Sequence, residues 1–124
     1  GVDLLSVSVG NIHVLLKGEQ DLDIDRLAAI RQKVAIPLGL HGGTSITNQS
    51  LREAIRLGVT KVAYGTYMKQ RYLAAVQKAY GDIDHNPHEL LGMGGQRDIL
   101  VAGRLAVRDA VLERIDLLGC CGKA

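Results

Sequence analysis

Two histidines stand where a metal-dependent reaction could be built. His13 lies in GNIHVLLKGEQ, residues 10–20, and His41 opens the run His41-Gly42-Gly43-Thr44. Neutral imidazole is a ligand for zinc and similar metals, so two imidazoles converging on one opening could share an ion. Their spacing matches no ligand signature, and ordinary loop histidines remain the alternative at this point. The His-Gly-Gly-Thr run has a second capability. Paired glycines let backbone N–H groups approach an anion, and the Thr44 hydroxyl can add a donor. Glycines after a strand can also form nothing more than a tight turn. A third candidate position is Tyr64-Gly65-Thr66, directly after the apolar run at residues 59–63.

These residues can act together only if the fold brings them to one face. Residues 2–9 (VDLLSVSV) are apolar and rich in valine, which predicts a strand buried on both faces. Residues 10–20 read as a loop. From Asp23, a plausible N-cap, the spacing of Ile24, Leu27, Ala28, Ile30 and Val34 is helical. Pro37 stands at the entrance of a short strand at 38–40, where a missing N–H does least damage. Thr47 can cap a helix with Leu51, Ala54 and Ile55 on its apolar side, and Gly58 is placed to end it. Residues 59–63 read as a third strand. Met68, Tyr72, Ala75, Val76 and Ala79 then mark one face of a helix stopped by Gly81.

Strand and helix thus alternate three times, and the joints rhyme: AIRQKV at 29–34 precedes one strand, AIRLGV at 54–59 the next. Such alternation means parallel strands with crossover helices. The fold class is α/β, and the choice lies between a (β/α)8 TIM barrel and an open doubly wound sheet. No G-x-G-x-x-G follows a strand, which counts against a dinucleotide-binding sheet. A full barrel takes roughly 250 residues, so about three βα units amount to part of one. The expected organisation is βα units over 1–81, a polar loop over 82–98, and a long C-terminal helix with its tail over 99–124. In that helix Val107, Val111, Ile115 and Leu118 form one apolar row, and Val101, Leu105 and Leu112 another. Two rows suggest two neighbours, one of them a second subunit.

Composition removes other function classes. The 124 residues carry 15 Lys and Arg against 13 Asp and Glu, a net charge of +2 without clustering, so nothing argues for nucleic acid or an anionic membrane. Aromatics are 3% of the chain, too few for a base-stacking surface. Hydrophobic residues make up 47%, yet no apolar run nears the ~18 residues of a membrane span. The only cysteines, Cys120 and Cys121, are adjacent and read as reduced thiols of a cytoplasmic protein. The chain opens on Gly1 rather than Met and enters an apolar segment at once, as a piece of a longer protein would.

Three segments, GNIHVLLKGE at 10–19, LGLHGGTSI at 38–46 and LLGCCGKA at 117–124, together resemble the class II, metal-dependent fructose-bisphosphate and tagatose-bisphosphate aldolases. The resemblance spans essentially the whole chain and falls on the C-terminal half of that family. It implies a zinc-dependent carbon–carbon lyase of carbohydrate metabolism. Such an enzyme cleaves a ketose bisphosphate to dihydroxyacetone phosphate and an aldehyde. The family loop G-N-x-H-G-x-Y-K places one zinc ligand on His13, and its Leu-His-Gly-Gly-Ser turn places another on His41. The substrate phosphate would lie against Gly42, Gly43 and Thr44, and against Gly65 and Thr66 at the end of the next strand. The third zinc ligand and the proton-transfer acid are expected upstream, so no catalytic acid or base is assigned here.

The sequence departs from the family pattern in places. Val14 replaces the usual glycine after the first ligand, Ala63 replaces an asparagine that can hydrogen-bond substrate, and Tyr64 follows it. These changes leave open a non-catalytic sugar-phosphate-binding homologue, or a remnant that needs its N-terminal half. His85 and His88 read as solvated loop residues, and Lys61 lacks a desolvating pocket that would make it a Schiff-base lysine.

Overall fold

The computed structural model describes all residues except 13, 16, 82–85, 96 and 124. The chain forms two compact units, Gly1–Thr66 and Tyr67–Ala124.

The first unit is a three-stranded parallel sheet, β1 (Leu5–Val7), β2 (Leu38–Leu40) and β3 (Val59–Val62), in the order β1-β2-β3. Helices α1 (Ile24–Lys33) and α2 (Asn48–Arg56) make the two crossovers. Asp23 caps α1 by accepting from the Arg26 N–H, and Thr47 caps α2 by accepting from the Ser50 N–H. Gly58 follows the end of α2 at φ 95°, a left-handed conformation that disfavours any side chain, and a Cβ there would crowd the Arg31 guanidinium. Arg31 in turn donates to the carbonyls of Val34, Ala35 and Ile36, closing the end of α1. The rhyme between the two joints therefore has a physical counterpart: the arginine of the first packs on the glycine of the second.

The core of this unit is aliphatic. Val9, Leu27, Leu38, Leu40, Leu51 and Ala54 are fully enclosed, and β2 is buried along its whole length. β1 corrects the expectation of a strand buried on both faces. It covers three residues rather than eight, and Leu4, Leu5 and Ser6 are exposed. Among the described residues it pairs with β2 alone. In the β2–β3 pairing Leu38 faces Val59 but Gly39 faces Lys61, so a bulge sets the register just before the strands end.

The second unit contains α3, which begins at the boundary and spans Thr66–Tyr80, α4 (Pro87–Leu90) and α5 (Ile99–Leu118). The segment expected to be a plain polar loop contains α4, capped by Asn86 with Pro87 in its first turn, a pairing the sequence displays. His88 lies on it, exposed, and His85 falls outside the described residues. Asp98 is buried and caps α5. Its carboxylate accepts from the N–H groups of Gly94, Leu100, Val101 and Gly92, and these bonds hold its pKa below the usual carboxylate range.

The α5 surface differs from expectation. Its buried residues are Gly103 and Ala110, in neither apolar row, and a Cβ on Gly103 would collide with the Tyr72 ring of α3. Small residues let the two helices approach, while Val111 and Leu112 stay exposed. Across that pair of helices Tyr67 donates to Glu113 (2.6 Å), and Arg71 donates to both. The bond from Tyr67, with the Arg114 and Arg71 charges, lowers the Glu113 pKa. Among the described residues no helix is long and apolar enough to cross a membrane.

Candidate functional site

Because all three strands are parallel, the segments that follow β1, β2 and β3 emerge at one edge of the sheet, where α/β proteins build their sites. β2 runs directly into His41, whose side chain is exposed. Gly42 then adopts φ 68°, ψ 34°, which turns the chain into a 3₁₀ turn at Gly43–Ser45.

The ladder of β2 and β3 continues past their last paired residues. The Ala63 N–H donates to the Leu40 carbonyl (2.9 Å), and the Gly43 N–H donates to the Ala63 carbonyl (3.0 Å). The sequence suggested that the Gly42 and Gly43 amides both open toward an anion. For Gly43 this is corrected: its N–H is engaged with Ala63. The reason for glycine at 43 is steric. A Cβ would lie 2.6 Å from Val62 Cγ1 and 3.0 Å from two atoms of the Tyr64 ring. Tyr64 thus packs over the turn, half-buried, whereas Gly65 is exposed with open space beside it. Thr44 and Thr66 are half-buried, and Thr66 begins α3.

The segment after β1 is fastened to this turn at several points. Asn11 accepts from the Val9 N–H (2.8 Å) and donates from Nδ2 to the His41 carbonyl (3.0 Å). Ser45, buried, donates from Oγ to the Ile12 carbonyl (3.2 Å), and its own carbonyl accepts from the Gln20 N–H (2.7 Å). Asp21 accepts from the hydroxyls of Thr47 (2.5 Å) and Ser50 (3.0 Å), and these two bonds draw its pKa below the ordinary carboxylate value.

The structure thus brings the turn at His41, Gly42, Gly43 and Thr44 against Ala63 and Tyr64, and Gly65 and Thr66 follow these in the chain. Ile12, which precedes the first predicted ligand, is bonded to the same turn, while His13 itself lies outside the described residues. Val14 is exposed. Among the described residues no group of three or more His, Cys, Asp and Glu is placed to hold a metal, and His41 is the one predicted ligand among them. Sequence reasoning missed Asn11, Ser45 and Asp21. A Gly-Asn pair leaving a strand was a signal for the first, since asparagine side chains bond to nearby backbone in turns. Ser45 had no such mark.

Residues 1–123 match the family described as fructose-bisphosphate aldolase class-II. The chain is similar to the crystal structure of the YdjI aldolase from Escherichia coli K12, with a TM-score of 0.79 and 30% identity over 98% of this chain and 42% of that one. It is also similar to a putative fructose-1,6-biphosphate aldolase from Coccidioides immitis, with a TM-score of 0.75 and 25% identity, covering 98% of this chain and 40% of the other. The chain therefore spans about two fifths of the length of these solved relatives.

Proposed function

The chain belongs to the class II fructose-bisphosphate aldolase family, and from that premise we propose that it carries one wall of a zinc-dependent aldolase site. Its parallel βα units agree with part of the (β/α)8 barrel of such an enzyme. The substrate is a ketose bisphosphate. Cleavage of its C3–C4 bond yields dihydroxyacetone phosphate and an aldehyde.

The observation that carries this reading is the bond from the Gly43 N–H to the Ala63 carbonyl. It ties the turn bearing His41 to the segment that leads to Gly65 and Thr66, which supports placing the proposed ligand and the two proposed phosphate-contacting segments on one edge of the sheet. The donor chemistry suits zinc: His41 is an exposed imidazole whose own carbonyl is fixed by Asn11. His13 and His41 would hold the metal. When bound, it supplies Lewis-acid stabilisation of the negative charge that develops as the carbon–carbon bond breaks. The chain's other residues orient the substrate. The Gly42 N–H and the Thr44 and Thr66 hydroxyls donate to a phosphate, and Gly65 leaves room for it. Gly43 contributes close packing rather than a donor. The third ligand and the acid that moves a proton are assigned to no residue of this chain, and the 124 residues alone are expected to be inactive.

A second reading rests on position 63. Ala63 offers no side-chain donor where substrate would lie, and Val14 adds bulk beside the first ligand, both consistent with a sugar-phosphate-binding homologue that has lost turnover. Two further assignments complete the proposal. Exposed Val111 and Leu112 on α5 support a homo-oligomer formed through that helix, and the free, exposed thiols of Cys120 and Cys121 suit a cytoplasmic protein.

The test is cleavage of a panel of ketose bisphosphates by the full-length protein, before and after chelation and after zinc is restored. Turnover that vanishes with the chelator and returns with zinc supports the enzyme. Phosphate-sugar binding without turnover supports the second reading, and neither binding nor turnover refutes both.

A further inference from the structure

We propose that Asn11, together with Ser45, is a positioning residue for the metal site, acting by stapling the segment after β1 to the His41 turn. The inference rests on the zinc reading above and goes beyond it, because neither residue is assigned a ligand's or substrate contact's role. The Asn11 carboxamide is used at both ends: Oδ1 accepts from the Val9 N–H at 2.8 Å and Nδ2 donates to the His41 carbonyl at 3.0 Å. One side chain thereby fixes the exit of β1 relative to the backbone of a proposed ligand. Ser45 supplies the second fastening, from an Oγ on a residue only 2% exposed to the Ile12 carbonyl at 3.2 Å, with the Gly42 carbonyl at 3.4 Å as its other acceptor. The two bonds fall on consecutive residues, one from the Asn11 side chain and one at the Ile12 carbonyl.

The physical consequence is preorganisation. Two imidazoles on separate loops must be held together before an ion arrives, or part of the binding free energy is lost in ordering the loops. Both bonds join the start of the segment after β1 to the His41 turn, so removing either loosens that end of the connection while the Gln20 and Asp21 bonds still hold the other end. Groups that orient metal ligands typically contribute 10- to 100-fold in metal affinity.

The experiment measures zinc dissociation constants for the full-length protein by competition with a chromogenic chelator, in wild type, Asn11→Ala, Ser45→Ala and His41→Ala. Asn11→Ala is expected to weaken zinc about 10- to 100-fold, and Ser45→Ala severalfold, with the melting temperature of each metal-free variant recorded alongside. A merely structural role would lower that melting temperature and leave the dissociation constant of the folded protein unchanged, which overturns the proposal. Should Asn11→Ala fail to fold, Ser45→Ala decides: unchanged zinc affinity overturns the staple, weakened affinity supports it. His41→Ala separates the two levels of argument. If it retains zinc at wild-type affinity, the zinc reading fails. If it loses zinc while the staple variants bind normally, only the present proposal fails.

Discussion

Gly43→Ala is the substitution whose outcome follows most directly from the geometry. Gly43 does not have a positive φ, so alanine is acceptable to the backbone and the whole effect is one of space. The added Cβ would lie 2.6 Å from Val62 Cγ1, where carbon atoms prefer about 3.5 Å, and 3.0 Å from two atoms of the Tyr64 ring. Val62 is β-branched and sits in a strand, so it has few rotamers to escape into. Tyr64 blocks the other direction. Overpacking of this kind costs about 1–3 kcal/mol. Replacing glycine also stiffens the unfolded chain, which returns about 0.4–1 kcal/mol. The net expectation is a loss of about 1–2 kcal/mol, or a fall in melting temperature of roughly 4–8 °C. Because the shift that relieves the clash must lengthen the bond to the Ala63 carbonyl, the Gly43 amide should also exchange with solvent faster. Adding Val62→Ala should recover part of the loss, with a coupling of at least about 0.5 kcal/mol in a double-mutant cycle. Thermal melts and amide exchange decide the matter. A neutral Gly43→Ala, or one whose cost is untouched by Val62→Ala, would refute the steric account of this turn.

Gly103→Ala should destabilise the second unit by about 1–3 kcal/mol, since its Cβ enters the Tyr72 ring; an unchanged urea midpoint would contradict the close α3–α5 packing. Asp21→Asn should flatten the acid limb of the stability curve. The folded pKa lies below the unfolded one, so the carboxylate's contribution is complete above about pH 4 and is lost as pH falls through the folded value. Urea midpoints that fall equally with acid in wild type and variant would count against that role. Ala63→Asn restores a polar side chain beside the proposed phosphate segment, and on the aldolase reading should tighten dihydroxyacetone phosphate by about fivefold, the equivalent of one net hydrogen bond of ~1 kcal/mol. Isothermal titration of the full-length protein checks it, and unchanged affinity would remove position 63 from the substrate contacts.

What could be read from the sequence was whatever is decided within a few residues. The strand at Leu38–Leu40, the helix at Ile99–Leu118, the caps at Asp23 and Thr47 and the glycine after α2 all follow from local spacing and capping chemistry. The features that needed the structure depend on neighbours distant in sequence. β1 lies in a valine-rich run of eight residues, and only the structure shows that its ladder with β2 covers three of them. In α5 the apolar rows suggested the buried faces, yet the choice was made by Tyr72 of α3, which needs a glycine opposite it. For the site, the His-Gly-Gly-Thr run was visible as a turn able to meet an anion. That Gly43 serves through its missing side chain, with its N–H turned to Ala63, could not be seen because Ala63 lies twenty residues away.

Position 63 shows how the site's scaffold and its chemistry are separated. Both backbone groups of Ala63 are engaged, the N–H with Leu40 and the carbonyl with Gly43, and together they extend the β2–β3 ladder into the turn that follows β2. No atom of the side chain takes part in those bonds. A change of side chain at 63 therefore alters what a ligand can meet there while leaving the backbone bonds to Leu40 and Gly43 in place. The same holds in a different way at Asn11, where the backbone is ordinary and the side chain does the fastening. On the proposed reading, substrate preference can drift through residue 63 at little cost to the fold, whereas residues 11 and 45 join the start of the segment after β1 to the His41 turn. Under the aldolase proposal, the departures from the family pattern at Ala63 and Val14 would bear on which sugar phosphate is held, and the proposed staple on how tightly a metal is held.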